Sequence, residues 1–142
     1  MKSISNVFAT ALLKGGFGDG KNADAPATFY LALSSTLPIV DTYGVMSNVT
    51  EPTTGGYVRE AIANTSANWS VVNGYVSNIN SVNFPTASAN YDVVATYTVL
   101  FSAITGGIAL WSASLGQPMN VYSGSILSLD PGTITFTAIE GI

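Results

Sequence analysis

The punctuation of the chain beyond residue 27 most narrows what it can fold into. Turn-forming Gly, Pro and Asn return about every ten residues, and the stretches between them alternate apolar and polar side chains. TFYLALS (28–34) places Phe29, Leu31 and Leu33 on one face of an extended chain. Asn73-Gly74 separates WSVV (69–72) from YVSNINSVNF (75–84), and Asn-Gly suits the two positive-φ corners of a tight hairpin turn. YVREAIAN (57–64), DVVATYTVLFSA (92–103), IALWSAS (108–114), MNVYS (119–123), SILSLD (125–130) and TITFTAI (133–139) also read as strands. Residues 35–56, with Pro38, Gly44, Pro52 and Gly55-Gly56, read as mostly loop. Many short strands with regular turns predict an all-β fold, an antiparallel β-sandwich or barrel.

The first 25 residues follow a different rule. Ile4, Val7, Phe8, Ala11 and Leu12 recur at helical spacing, and Gly15-Gly16 would stop the helix. A helix of this length is unstable alone in water, so its apolar face must dock on something. GGFGDGKNADAPA (15–27) reads as a flexible linker. Asp19, Asn22 and Asp24 are close together, but Lys21 occupies an expected ligand position and no Glu closes a calcium loop. The division is therefore residues 1–25 as N-terminal arm and linker, and 26–142 as the sandwich domain. The opening MKSISNVFATALLKGG lacks the cleavage pattern of a signal peptide.

Composition removes several function classes. The chain of 142 residues has neither Cys nor His, so thiolate chemistry and the commonest general base are absent. No cofactor and no metal site are expected. Charged residues are 8 % of the chain, against about 25 % in ordinary soluble domains. Such a surface suits burial against other subunits. With a net charge of −4 and three scattered lysines, nothing resembles a nucleic-acid footprint. The uncharged stretch between Asp92 and Gln117 is interrupted by Thr105-Gly106-Gly107. It reads as two strands and a turn, not a membrane span.

EPTTGGYVREAI (51–62) holds the only Arg of the chain, Arg59, between Glu51 and Glu60. The Gly pair does not open a helix with the Lys and hydroxyl that a phosphate loop needs. Two carboxylates suffice for glycoside hydrolysis, yet nothing in the sequence perturbs or pairs these two, and no catalytic residue is assigned. Tyr57 and Arg59 share one strand face, and a lone guanidinium suits a fixed contact to a carboxylate or to carbonyls. That contact is expected at a loop or subunit boundary. The aromatic residues Tyr43, Tyr57, Trp69, Tyr75, Tyr91, Tyr97, Trp111 and Tyr122 offer stacking faces for sugar, though aromatics in sandwiches more often fill cores or interfaces.

The order of motifs carries a resemblance. TFYLALSSTLP, EPTTGGYVREAI, NINSVNFPTAS and VATYTVLFSAITGGIALWSASLGQPMNVYSGSILSLDPGTITFT follow one another over about residues 26–138. This resembles a family of small virion proteins of tailed bacteriophages, often described as tail fiber-like, several of them similar to head-decoration (cement) proteins. The resemblance implies a jelly-roll-like sandwich and a homotrimer on the capsid exterior, binding and stabilising the major capsid protein. It implies neither catalysis nor a nucleic-acid or membrane partner. Two departures stand out: Tyr91-Asp92 where the family usually has Trp-Gly, and Glu60 where Gln is frequent. With the arm reading, the expected partner-binding residues are Ile4, Val7, Phe8, Leu12, Phe17, Tyr57 and Arg59. The alternative reading is a tail-tip or fiber receptor-binding protein that recognises host glycan.

Overall fold

A computed structural model describes residues 14–23 and 25–137. Among these residues every element is a strand. In chain order they are β1 (Thr28–Ser34), β2 (Ile39–Val40), β3 (Met46–Ser47), β4 (Glu60–Ala63), β5 (Trp69–Val72) and β6 (Tyr75–Asn78). There follow β7 (Val82–Asn83), β8 (Ala95–Phe101), β9 (Ala109–Met119), β10 (Ser128–Leu129) and β11 (Thr135–Thr137). All pairings are antiparallel. The fold is all-β, as the alternation predicts. The helix expected over 4–13, with Ile4, Val7, Phe8 and Leu12, lies outside the described residues.

Two sheets face each other. One has the order β4-β1-β8-β9, the other β11-β6-β5, and the pair β10-β7 extends the packing. Phe29, Leu31 and Leu33 of β1 and Leu100 of β8 point into the interior. They meet Trp69, Val76, Val82, Leu129 and Phe136 from the other strands. The centre is aromatic: Phe17 lies 4.9 Å from Phe29, 5.6 Å from Trp69 and 5.8 Å from Trp111, and Trp111 lies 5.4 Å from Phe136. Each such ring buries on the order of 150–250 Å², so this cluster dominates the hydrophobic term.

The second face of β1 is also covered. Ala32, Val99 and Phe101 form a smaller apolar cluster against Met46, Val49 and Ala109. The hairpin β2–β3 therefore packs on the outer face of the larger sheet. It was expected as loop, because two-residue strands leave too little alternation to see. Its turn is closed by Asp41, whose Oδ1 accepts the amides of Tyr43 and Val45.

Other boundaries moved for identifiable reasons. The strand expected over 57–64 is paired only from Glu60, since the ladder with β1 ends at Leu31↔Glu60. Beyond that point the Leu33 amide donates to the Tyr57 hydroxyl instead, at 3.0 Å. MNVYS is not a strand: Met119 ends β9, and the Val121 carbonyl accepts the Tyr91 amide in a loop contact. The stretch 92–117 is two strands and a turn, as expected. The Asn73-Gly74 turn has φ of 53° and 79°, the pair of left-handed corners that a right-twisted hairpin needs.

The stretch read as a flexible linker is fastened to the sandwich. Asn64, fully buried, accepts the Gly18 amide and donates to the Gly16 and Pro26 carbonyls, each at 2.8 Å. Asp19 and Ser66 bond reciprocally through backbone amides and side chains. Phe17, expected on a partner-facing arm, is instead 6 % exposed within the main core. Its neighbours Phe29, Trp69 and Trp111 supply more apolar contact than an arm on the surface would find.

Candidate functional site

The most chemically dense point of the molecule is built by the segment from Glu51 to Arg59. Gly55 and Gly56 both have φ of 73°, and a Cβ on Gly55 would sit 2.4 Å from the Ala89 carbonyl oxygen. Only glycine lets the chain turn this tightly against the neighbouring loop. The turn returns Tyr57 and Arg59 beside Glu51. Arg59 Nε and Nη2 donate to the two Glu51 oxygens at 3.0 and 2.8 Å. Arg59 Nη1 donates to the carbonyls of Ala103 and Gly106 at 2.7 and 2.8 Å. The guanidinium carbon lies 3.6 Å from the centre of the Phe101 ring. The Tyr57 hydroxyl donates to Glu51 Oε1 at 2.8 Å.

Arg59 is thus a clamp that ties three segments: the 51–59 loop, the end of β8 and the β8–β9 turn. It is only 8 % exposed, and a planar fork that grips a carboxylate and two carbonyls while stacking on a ring is a task lysine cannot perform. Burial disfavours the Glu51 charge, but the hydrogen bonds from Arg59 and Tyr57, with the Arg59 charge, outweigh it and hold the Glu51 carboxyl below its ordinary value. Burial pushes the Tyr57 hydroxyl well above the ordinary tyrosine range, and the nearby Glu51 charge adds to this. The chemistry is that of a locked structural contact. Both Glu51 oxygens are occupied, so it is poorly placed to act as a proton-transfer group.

Glu60 faces elsewhere. It lines a separate polar groove of about 300 Å³ with Asn68, Asn80 and Asn83. Burial raises its carboxyl pKa. Asn68 and Asn80 are bonded to each other and to backbone carbonyls, so they brace the groove wall. Among the described residues no three His, Cys, Asp or Glu gather as metal ligands. No helix among them is long and apolar enough to cross a membrane.

The structure brings together two of the seven sequence-derived partner residues, Tyr57 and Arg59, and turns both inward. Phe17 is a core residue. Of the aromatic residues considered for sugar stacking, Trp69 and Tyr91 are buried, and Tyr57 and Trp111 are partly buried against the core. Tyr43 is 90 % exposed and Tyr122 58 %.

Sequence reasoning missed one group of exposed apolar residues. Leu37, Ile39, Val40, Tyr43 and Val45 all stand out on or beside the β2–β3 hairpin. The signal was present: LPIVDTYGVM is apolar on both sides of a short polar turn, too rich for a solvated loop.

Comparison with known proteins adds a family. The sequence profile described as "Podophage GP4 fiber I protein gp80" matches residues 3–137, nearly the whole chain. No curated protein matches significantly.

Proposed function

We propose a function from one premise: the chain belongs to the podophage GP4 fiber I protein gp80 family. It is a structural virion protein of a bacteriophage, and its work is to bind protein neighbours. The finer reading that the family description favours is a fiber subunit. The observation that carries an assembly role is the division of polar and apolar groups. Arg59 and Glu51, the only ion pair among the described residues, are spent inside the chain. What remains outward on the hairpin is apolar and almost free of charge. A surface of that kind is suited to burial against protein.

Capsid decoration is the second reading. It rests on the motif order from TFYLALSSTLP to SLDPGTITFT and on the scarcity of charge. In it the protein sits on the capsid exterior as a homotrimer and braces the major capsid protein. Ile4, Val7, Phe8 and Leu12 would supply an apolar anchor in either location.

Labelled antibody against the chain, imaged on intact virions, tests both readings. Label on fibers supports the first and overturns decoration, while label over the capsid shell does the reverse. Absence of the chain from purified virions would overturn the virion role itself.

A further inference from the structure

Fifteen large apolar side chains are exposed among the described residues. Scattered exposure is ordinary, but here much of it gathers at one place. Leu37, Ile39, Val40 and Val45 are each more than half exposed, and Tyr43 at the turn is 90 % exposed. The hairpin that carries them is rooted by Met46 against the cluster of Ala32, Val99 and Phe101. Ala109, which opens β9, packs on the same cluster, and β3 approaches β9, so the hairpin stands on the side of the sheet where the β8–β9 turn ends. That turn exposes its own apolar residues: Ile104 at 52 % and Ile108 at 67 %. Leu110 joins them because Phe101 pairs with Ala109 and Leu100 with Trp111. Leu110 is the extra residue of a bulge, pushed off the ladder and 40 % exposed. Val58, 48 % exposed, lines one cleft with Ile104.

The area is large for a free surface. Scaled by residue size, these residues together expose on the order of 1,000 Å², backbone included, against the roughly 300–600 Å² of the largest patch on a typical monomer. One partner in a standard interface contributes about 800 Å². The patch therefore holds what one side of a stable complex needs.

Charge selects the occupant. The whole chain carries −4. Residues 93–129 contain no charged side chain, and the hairpin 37–47 contains one, Asp41. Asp41 Oδ1 is already taken by the amides of Tyr43 and Val45. No basic residue lies in either segment to draw an acidic or anionic partner. Two acidic copies can meet here with little like-charge contact, and a neutral apolar surface complements another of its kind. The edge of β9 continues the same surface. β9 is the longest strand, 11 residues, and pairs only with β8 among the described residues. Pro118 and the bulges interrupt its two ends, but the regular stretch Trp111–Ser114 carries no charge to discourage a further strand, so that stretch is an edge that needs cover.

We infer that the hairpin 37–46, the β8–β9 turn and the adjoining β9 edge form the surface through which copies of this chain associate. The inference deepens the assembly reading above and rests on it. Tyr43 is the anchor, a large side chain already out of the core and costing little fold stability to change.

Sedimentation velocity of the full chain across about 1–100 µM tests this. Self-association is expected in that range. Tyr43→Asp and Ile108→Asp should each weaken it at least tenfold, with circular dichroism unchanged. Val72→Asp, at an exposed position on the other sheet, should leave it as it is. The chain has no Cys, so Thr42→Cys, exposed in the same turn beside the anchor, takes a single spin label, and dipolar coupling between labelled copies is expected. A chain monomeric throughout, or one whose association ignores both patch variants, would overturn the inference. The outcome is independent of virion location: oligomers through this patch in a chain absent from virions would sink the virion role alone. Virion-bound chains that are monomeric when purified would sink this inference alone.

Discussion

At the scale of single residues, Arg59 shows how much one side chain can decide. It satisfies a carboxylate and two carbonyls and rests on Phe101. Its removal leaves Glu51 partly buried without its counter-charge. Arg59→Ala should lower unfolding stability by about 3 kcal/mol, measured by urea denaturation. Arg59→Lys should recover little of this, since a point charge cannot form the fork. Unchanged stability in Arg59→Ala would remove the clamp from the account. Glu51 also gives the fold a pH dependence of known sign. Its folded pKa lies below its ordinary value of 4.5, so the folded state binds fewer protons than the unfolded one. The stabilisation is complete above about pH 4.5 and is lost as pH falls through the folded value. Glu60 has the opposite sign, because burial raises its pKa. Its ionisation opposes folding as pH rises. Urea midpoints between about pH 3 and 6 should fall toward acid, and Glu51→Gln should flatten that slope.

At the scale of elements, small polar residues fasten what the alternation pattern leaves loose. Asn64 holds residues 16, 18 and 26 from one buried amide. Asn64→Ala leaves three backbone groups short of a partner. It should cost about 2–4 kcal/mol and raise amide exchange across residues 15–23. If exchange there matches the wild type, the segment is held by Phe17 and the Asp19–Ser66 bonds without Asn64. The Gly55 turn is equally strict. Gly55→Ala adds a Cβ into the Ala89 carbonyl at a positive φ, and an expected loss of more than about 2 kcal/mol follows from strain and clash together. A melt within about 1 °C of wild type would show that the 51–59 loop can rearrange. Strands β1 and β5 and the Asn73-Gly74 turn were legible because each is specified locally, by alternation or by the turn's φ signs. The β2–β3 hairpin was not, because its two-residue strands depend on packing against Ala32, Val99 and Phe101 of the sheet below.

At the scale of the whole molecule, the sandwich extends toward the N-terminus beyond the expected boundary at residue 26. Phe17 fills the space between Phe29, Trp69 and Trp111. A chain beginning at Lys14 should keep this packing. One beginning at Ala25 should lose about 3–5 kcal/mol, the typical cost of deleting a buried phenylalanine. Comparing their thermal unfolding checks this, and equal midpoints would mean that Phe17 adds nothing to the core. The Lys14 chain also separates the contribution of Ile4, Val7, Phe8 and Leu12 to partner binding from any effect on the fold.

The all-β class, most strand positions and the pairing chemistry available to Arg59 can be read from the chain's residues in order. Those depend on period, turn residues and side-chain type, which are local properties. The lack of thiol and imidazole chemistry is read the same way. Folding in three dimensions settles that Arg59 and Tyr57 turn inward, that Phe17 is core, and that the apolar surface lies on the hairpin and the β8–β9 turn. Each of these depends on which distant segment arrives opposite. A guanidinium reads the same in sequence whether it grips Glu51 or a neighbouring subunit. An apolar residue reads the same whether the fold covers it or leaves it out.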